Sequence, residues 1–176
     1  LLHDIGKFSA AFQTYIVEAN EHPDTPPRKG SVDHSTAGGK LLYEYFHHRE
    51  CKPYHALLAE IVGNVIISHH AYLQDYLNPQ LKSDFLRRVQ DKEIQDYEAI
   101  KKSFFERVMK ERDFVAYVNR ATSELEVFVS AVPMEEREKQ MMFAAKFLFS
   151  VLIDSDRTNT RLFEDKQQAE EQLDIE

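Results

Sequence analysis

Apolar residues recur along the chain at the three-and-four spacing of helix faces. Ile5, Phe8, Ala11, Phe12, Tyr15 and Ile16 predict a helix over residues 3–18. Residues 20–33 hold three prolines and one glycine and predict a loop. Ser35 or Thr36, both N-capping types, opens the next helix, lined by Leu41, Leu42, Tyr45 and Phe46. Pro53 suits the first turn of a third helix. Its run Leu57, Leu58, Ile61, Val62, Val65 and Ile66 ends at Ser68-His69-His70. Residues 80–118 predict one or two charged amphipathic helices, and 122–132 a short one ended by Pro133. Glu135–Asp156 predicts a long helix through Met142, Phe143, Phe147, Leu148, Val151 and Leu152, with Phe143, Phe147 and Phe149 in the core. Glycine occurs only five times and no alternating strand pattern is present, so the expected fold is an all-α domain of six or seven helices.

At 176 residues, 43% hydrophobic and 30% charged, the chain matches one globular domain with one core. No stretch approaches the roughly 20 apolar residues that span a bilayer, so no membrane partner is expected. Cys51 is the single cysteine, which excludes an internal disulfide and a cysteine-based zinc knuckle and fits a reducing cytoplasm. The net charge of −8 argues against a nonspecific nucleic-acid binder. The acid is uneven, because Glu164–Glu176 carries six acids and one lysine, whereas residues 80–120 carry ten basic and eight acidic side chains. Residues 1–163 are therefore read as the domain and 164–176 as an acidic tail or linker.

The candidate chemistry lies where apolar helices end. His3-Asp4 follows Leu1-Leu2, His34 precedes a helix, His69-His70 closes one, and Asp154 and Asp156 close another. Imidazole and carboxylate together suit divalent metals such as zinc, manganese, iron, nickel or cobalt. An aspartate can bridge two ions, and two ions about 3.5–4 Å apart can clamp a phosphoryl group and activate water. Bound cations would also offset the acidic balance toward a phosphate substrate. Neighbours on a helix diverge by about 100°, so His3 and Asp4 would reach two sides of a cluster. Lys7 would share their face and offer an ammonium to phosphate. His22, His47, His48 and His55 are read as surface or structural residues, and charged faces such as Arg87, Arg88, Lys101 and Lys102 as solvated or as a path for a strand.

His3-Asp4-Ile-Gly-Lys7, His34-Ser-Thr-Ala-Gly-Gly, Ser-His69-His70 and Leu152-Ile-Asp154-Ser-Asp156-Arg-Thr-Asn-Thr160, in that order, resemble the HD phosphohydrolase superfamily. More narrowly they resemble the HD nuclease domain of the CRISPR-associated helicase–nuclease of type I interference. The resemblance implies an HD-type helical bundle around a metal centre that holds two divalent ions, with manganese, magnesium, nickel, cobalt, iron and zinc all open. It implies that Asp4 bridges the metals, that His3 and Asp156 serve the first, and that His34, His69 and His70 serve the second. Asp154 is the rival of Asp156. Lys7 and Thr160 would contact substrate, and Asp4 and Lys7 would carry catalysis. The implied activity is hydrolysis of single-stranded DNA, with endonuclease and exonuclease action both open. An ATP-dependent helicase, fused or separate, and a surveillance complex would be its partners. The family pattern has a further histidine upstream of the His-Asp pair, so an N-terminal segment is expected to be missing here. A phosphohydrolase of small nucleotides and a metal-depleted docking module are the alternatives.

Overall fold

The computed structural model describes residues 1–28 and 30–165. Among them the regular structure is helical, and no strand occurs. The helices are α1 (Ala10–Glu21), α2 (Thr36–Phe46), α3 (Pro53–Ser68), α4 (Asp84–Leu86), α5 (Tyr97–Arg107), α6 (Glu111–Ala131) and α7 (Arg137–Glu164). A 3-10 turn spans Ile5–Phe8, a π turn Arg87–Asp91 continues α4, and a second 3-10 turn, Met134–Glu136, precedes α7.

Several boundaries differ from the sequence pattern. The helix expected over 3–18 is divided at Ser9, whose backbone is extended and whose hydroxyl accepts from Phe12 N at 3.2 Å. That cap starts α1 afresh, so His3 and Asp4 occupy a turn ahead of a 3-10 segment. The segment expected at 122–132 is the second half of α6, which runs unbroken through Thr122. α7 continues two turns past Asp156, so Asp154 and Asp156 lie inside a helix rather than at its end. Of the tail, residues 166–176 lie outside the described residues.

The centre of the fold is the pairing of α2 with α3. Their backbones meet at Gly39, where a Cβ would stand 2.6 Å from Ile67 Cγ2 and 3.2 Å from the Gly63 carbonyl oxygen. Leu41, Leu42 and Phe46 of α2 and Ala59 and Ile66 of α3 form a core with Ile100, Phe104, Phe114 and Val118 from α5 and α6. Ile5 joins this core and fastens the turn carrying His3-Asp4 to α2. Ile67, Phe85 and Val89 form a smaller cluster that seats α4 and its π turn against α3. Pro133 ends α6 as its fixed φ and missing N–H require.

α7 packs against α3 and borders a groove of about 1050 Å³ formed with residues 73–77. Phe143 and Phe147 are 51% and 68% exposed, contrary to the expectation that they lie in the core, while Phe149 lines the groove. Periodicity marks an apolar face but does not say whether another element covers it.

Three tyrosines join the helices through carboxylates. Tyr97 donates to Glu44 at 2.8 Å and Tyr45 to Glu111 at 2.5 Å, and Tyr76 stands beside Glu60. Burial, then the neighbouring carboxylate, raises each phenol above its ordinary 10.0. The folded chain keeps these protons at a pH where the unfolded chain has lost them, so their contribution is full below pH 10 and declines above it. Urea unfolding is therefore expected to show a midpoint that falls steeply above about pH 10, and Tyr97→Phe should make the fall shallower. A midpoint unchanged up to about pH 11 would contradict this.

Candidate metal centre

The turn before α1 carries His3 and Asp4, the chain entering α2 carries His34, the C-terminus of α3 carries His69 and His70, and the middle of α7 carries Asp156. The fold brings all six together. Asp4 is central and its two oxygens face different neighbours. Oδ1 lies 3.8 Å from His34 Nε2 and 3.7 Å from His69 Nε2. Oδ2 lies 3.1 Å from His3 Nε2 and accepts from Lys7 Nζ at 2.7 Å. His3 Nε2 in turn lies 3.4 Å from Asp156 Oδ1. Asp154 is exposed, whereas Asp156 is half-buried. On one helix the two point in different directions, and Asp156 is the one that faces His3.

The histidine tautomers follow from their partners. His69 Nδ1 meets the Ile66 carbonyl at 2.6 Å, and a carbonyl only accepts, so Nδ1 carries the proton. Nε2 then keeps its lone pair, in a side chain with no exposed surface, directed at Asp4. The Val32 carbonyl, 3.4 Å from His34 Nδ1, orients that ring in the same way. Such a carbonyl behind an imidazole is the usual means of holding a metal ligand in one tautomer. His34 Nε2 and His70 Nε2 stand 2.5 Å apart. The His34 ring also packs on Phe12 of α1, with centroids 4.7 Å apart.

The electrostatics favour the neutral form of His34 and His70 and the charged form of Asp4. Burial, followed by the charges of His69 and His34, holds His70 down at about 4. His34 is lowered chiefly by burial, against the opposing pull of Asp4. Burial alone would raise Asp4, but the Lys7 ammonium bonded to it and the adjacent His3 and His69 rings outweigh burial and hold the carboxyl well below the usual carboxylate range. His34 and His70 thus offer lone pairs beside one anion, Asp4.

Both ring nitrogens of His3, Asp4 Oδ1 and His69 Nε2 are buried without a hydrogen bond. Leaving such an atom unpaired costs about 1–3 kcal/mol, and three of them, His3 Nε2, Asp4 Oδ1 and His69 Nε2, lie around the Asp4 carboxylate. Two groups, Asp4-His34-His69-His70 and His3-Asp4-Asp156, each have ligand atoms within 4.8 Å of one another. Mixed nitrogen and carboxylate donors with this spacing fit divalent cations, and Asp4 belongs to both groups.

Lys7 lies at the rim with its side chain 42% exposed. Thr160 is exposed on α7, and its hydroxyl donates to the Asp156 carbonyl at 3.0 Å. The basic residues considered as a strand path are engaged elsewhere. Arg87 pairs with Asp84, Lys101 lies 5.4 Å from the Tyr45 ring centre, and Lys102 faces Glu106 at 3.8 Å. Arg88 is part-buried behind the histidines rather than on a solvated face.

The sequence reading missed Asp33. Its Oδ1 accepts from Ser35 N at 3.0 Å and Thr36 N at 3.1 Å, so Asp33 caps α2 in place of Ser35, whose side chain makes no cap bond. Burial would raise its carboxyl, but the bonds from Lys92 and Thr36 and the Arg88 charge hold it well below the usual range. An aspartate two and three residues before free helix N–H groups was the available signal.

Imidazoles and carboxylates gathered around one anion in a helical bundle have the donor chemistry of a metal-dependent hydrolase. Comparison with protein families narrows this. The model described as "Cas3, HD domain" matches residues 1–150, and the chain belongs to that family, the metal-dependent nuclease domain of type I CRISPR systems. Asp156 lies beyond the matched residues. No curated protein and no solved structure matches the chain. Among the described residues no helix is long and apolar enough to cross a membrane.

Proposed function

We propose that the domain hydrolyses phosphodiester bonds in single-stranded DNA with two divalent cations, one held by Asp4, His34, His69 and His70 and the other by His3, Asp4 and Asp156. The observation that carries this is Asp4, whose Oδ1 faces two imidazoles and whose Oδ2 faces a third imidazole and an ammonium. When bound, the cations supply Lewis-acid activation of water and neutralise charge developing on the scissile phosphate. The protein's own part is to fix donor positions. The Ile66 and Val32 carbonyls set the tautomers of His69 and His34, and burial favours the neutral form of His34. Lys7 steadies the phosphate as a compact charge, exchanging its Asp4 contact for substrate oxygen. Thr160 lies one turn beyond Asp156, toward the flanking strand.

A polymer substrate is favoured because His70 is exposed and Lys7 is half-buried at the rim, so the cluster opens to solvent instead of closing around a small molecule. Contacts to the strand would be mainly to phosphates, hence salt-sensitive and sequence-tolerant. An ATP-dependent helicase, fused or separate, would feed unwound DNA, and a CRISPR surveillance complex would recruit it. The reducing cytoplasm, where Cys51 stays a thiol, is the proposed setting.

The test offers long circular single-stranded DNA and free nucleotides in parallel, with Mn²⁺, Ni²⁺ or Co²⁺. Nicking of the circle, abolished by EDTA and weakened by salt, is expected. Phosphate release from nucleotides with intact DNA would assign the site to a nucleotide phosphohydrolase. No turnover and no metal uptake would make the domain a docking module.

A further inference from the structure

The two segments that supply His34 and His69-His70 share no covalent link shorter than two helices, yet their ring nitrogens must be held to within about half an ångström for metal binding. One side chain joins them. Arg88 Nη1 donates to the Ile67 carbonyl at 2.8 Å, two residues before His69. Its Nε donates to Thr36 Oγ1 at 3.0 Å, and its Nη2 donates to Ser35 Oγ at 2.8 Å and Thr36 Oγ1 at 2.6 Å. Nη2 also lies 3.4 Å from Asp33 Oδ2. These partners flank His34 on both sides. The guanidinium is therefore bonded at once to the chain around His34 and to the end of α3 that carries His69-His70.

The surroundings keep it there. Phe85 and Val89, fully or almost fully buried against Ile67, anchor the π turn on which Arg88 sits. Lys40 Nζ donates to the Val89 carbonyl at 3.2 Å, tying the same turn to α2. Lys92, at the end of the turn, completes the bonding of Asp33. A π turn widens the backbone by one residue per turn and commonly occurs where a side chain must be re-aimed. The side chain is only 16% exposed, so it is withheld from solvent and substrate.

We propose that Arg88 is a positioning residue that sets the separation of His34 from His69 and His70, and thereby the affinity of the three-histidine metal site. The planar fork matters as well as the charge, since three nitrogens donate in different directions in one plane. A lysine would keep the charge but bond as a single point. The inference rests on the metal-centre reading given above.

The test measures Co²⁺ uptake by its visible absorption and Mn²⁺ affinity by isothermal titration, for the wild type, Arg88→Lys and Arg88→Gln. Val129→Ala serves as a control that loosens α6 outside the core cluster holding Ile5. Thermal unfolding gives each variant's stability. Outer-shell partners of metal ligands typically contribute 10–100-fold in affinity. Arg88→Lys and Arg88→Gln are expected to weaken the three-histidine site by about that factor and to alter the Co²⁺ band. Val129→Ala should lower the melting temperature and leave both readouts unchanged. Wild-type affinity and spectrum in either folded Arg88 variant would overturn the inference while leaving the metal centre intact. Equal weakening in Val129→Ala would overturn it too, as a general effect of stability. A wild-type chain that takes up neither ion would remove the inference together with the reading beneath it.

Discussion

Asp4→Ala is expected to abolish metal-dependent cleavage while the domain stays folded. Asp4 is the residue common to both candidate ligand groups, so its loss weakens two sites together. Loss of several kcal/mol of Lewis-acid stabilisation corresponds to a rate decrease on the order of 10³-fold or more. The effect on folding is small for a definite reason. Asp4's partners are His3, His34, His69 and Lys7 at the rim, none of which depends on it for burial in the core. Ile5, next in sequence, anchors the turn. Asp4→Asn, which keeps the shape and loses the charge, should behave almost as badly, because an amide cannot bridge two cations with both of its ends. Cleavage of single-stranded DNA and thermal unfolding, measured side by side, decide the matter. Activity within tenfold of the wild type would exclude Asp4 from the chemistry, and a collapsed melting transition would make it structural.

Gly6→Ala is expected to damage the site without removing any ligand. A Cβ at Gly6 would run into the backbone of His34, meeting its Cα, its carbonyl carbon and its carbonyl oxygen. These are main-chain atoms, so no side-chain rotation relieves the collision. Either the 3-10 turn bearing Asp4 lifts away or the entry to α2 bearing His34 moves, and the 3.8 Å approach of His34 Nε2 to Asp4 Oδ1 is lost in both cases. Overpacking of this kind costs about 1–3 kcal/mol, equivalent to a melting temperature lowered by about 3–10 °C. Activity should fall much further than stability, because metal geometry is lost over displacements that a core tolerates. An alanine variant with wild-type cleavage would show that the turn and the α2 entry do not need this contact.

The helices and the chemistry were legible to different degrees. α2 and α3 were readable because their apolar runs are uninterrupted and Pro53 marks a start. His3, Asp4, His34, His69 and His70 could be picked out because imidazole and carboxylate beside apolar segments are chemically conspicuous, whereas the choice of Asp156 over Asp154 rested on the family resemblance. Their convergence was not readable from spacing, since it depends on Gly6 touching His34 and on Ile5 reaching the α5–α6 core. The break at Ser9 was hidden because the apolar pattern passes through it, and a side-chain cap decided the matter. Arg88 was read as a possible strand contact because nothing in a charged stretch reveals that a π turn aims one of its residues inward. The exposed Phe143 and Phe147 mislead in the opposite sense, because an apolar face is written identically whether or not it is covered.

Diffraction from crystals soaked in Mn²⁺, recorded at the manganese absorption edge, tests the central claim most directly. Two anomalous peaks about 3.5–4 Å apart are predicted, sharing Asp4, with His34, His69 and His70 on one ion and His3 and Asp156 on the other. Manganese bound elsewhere, or none within reach of Asp4, would contradict it.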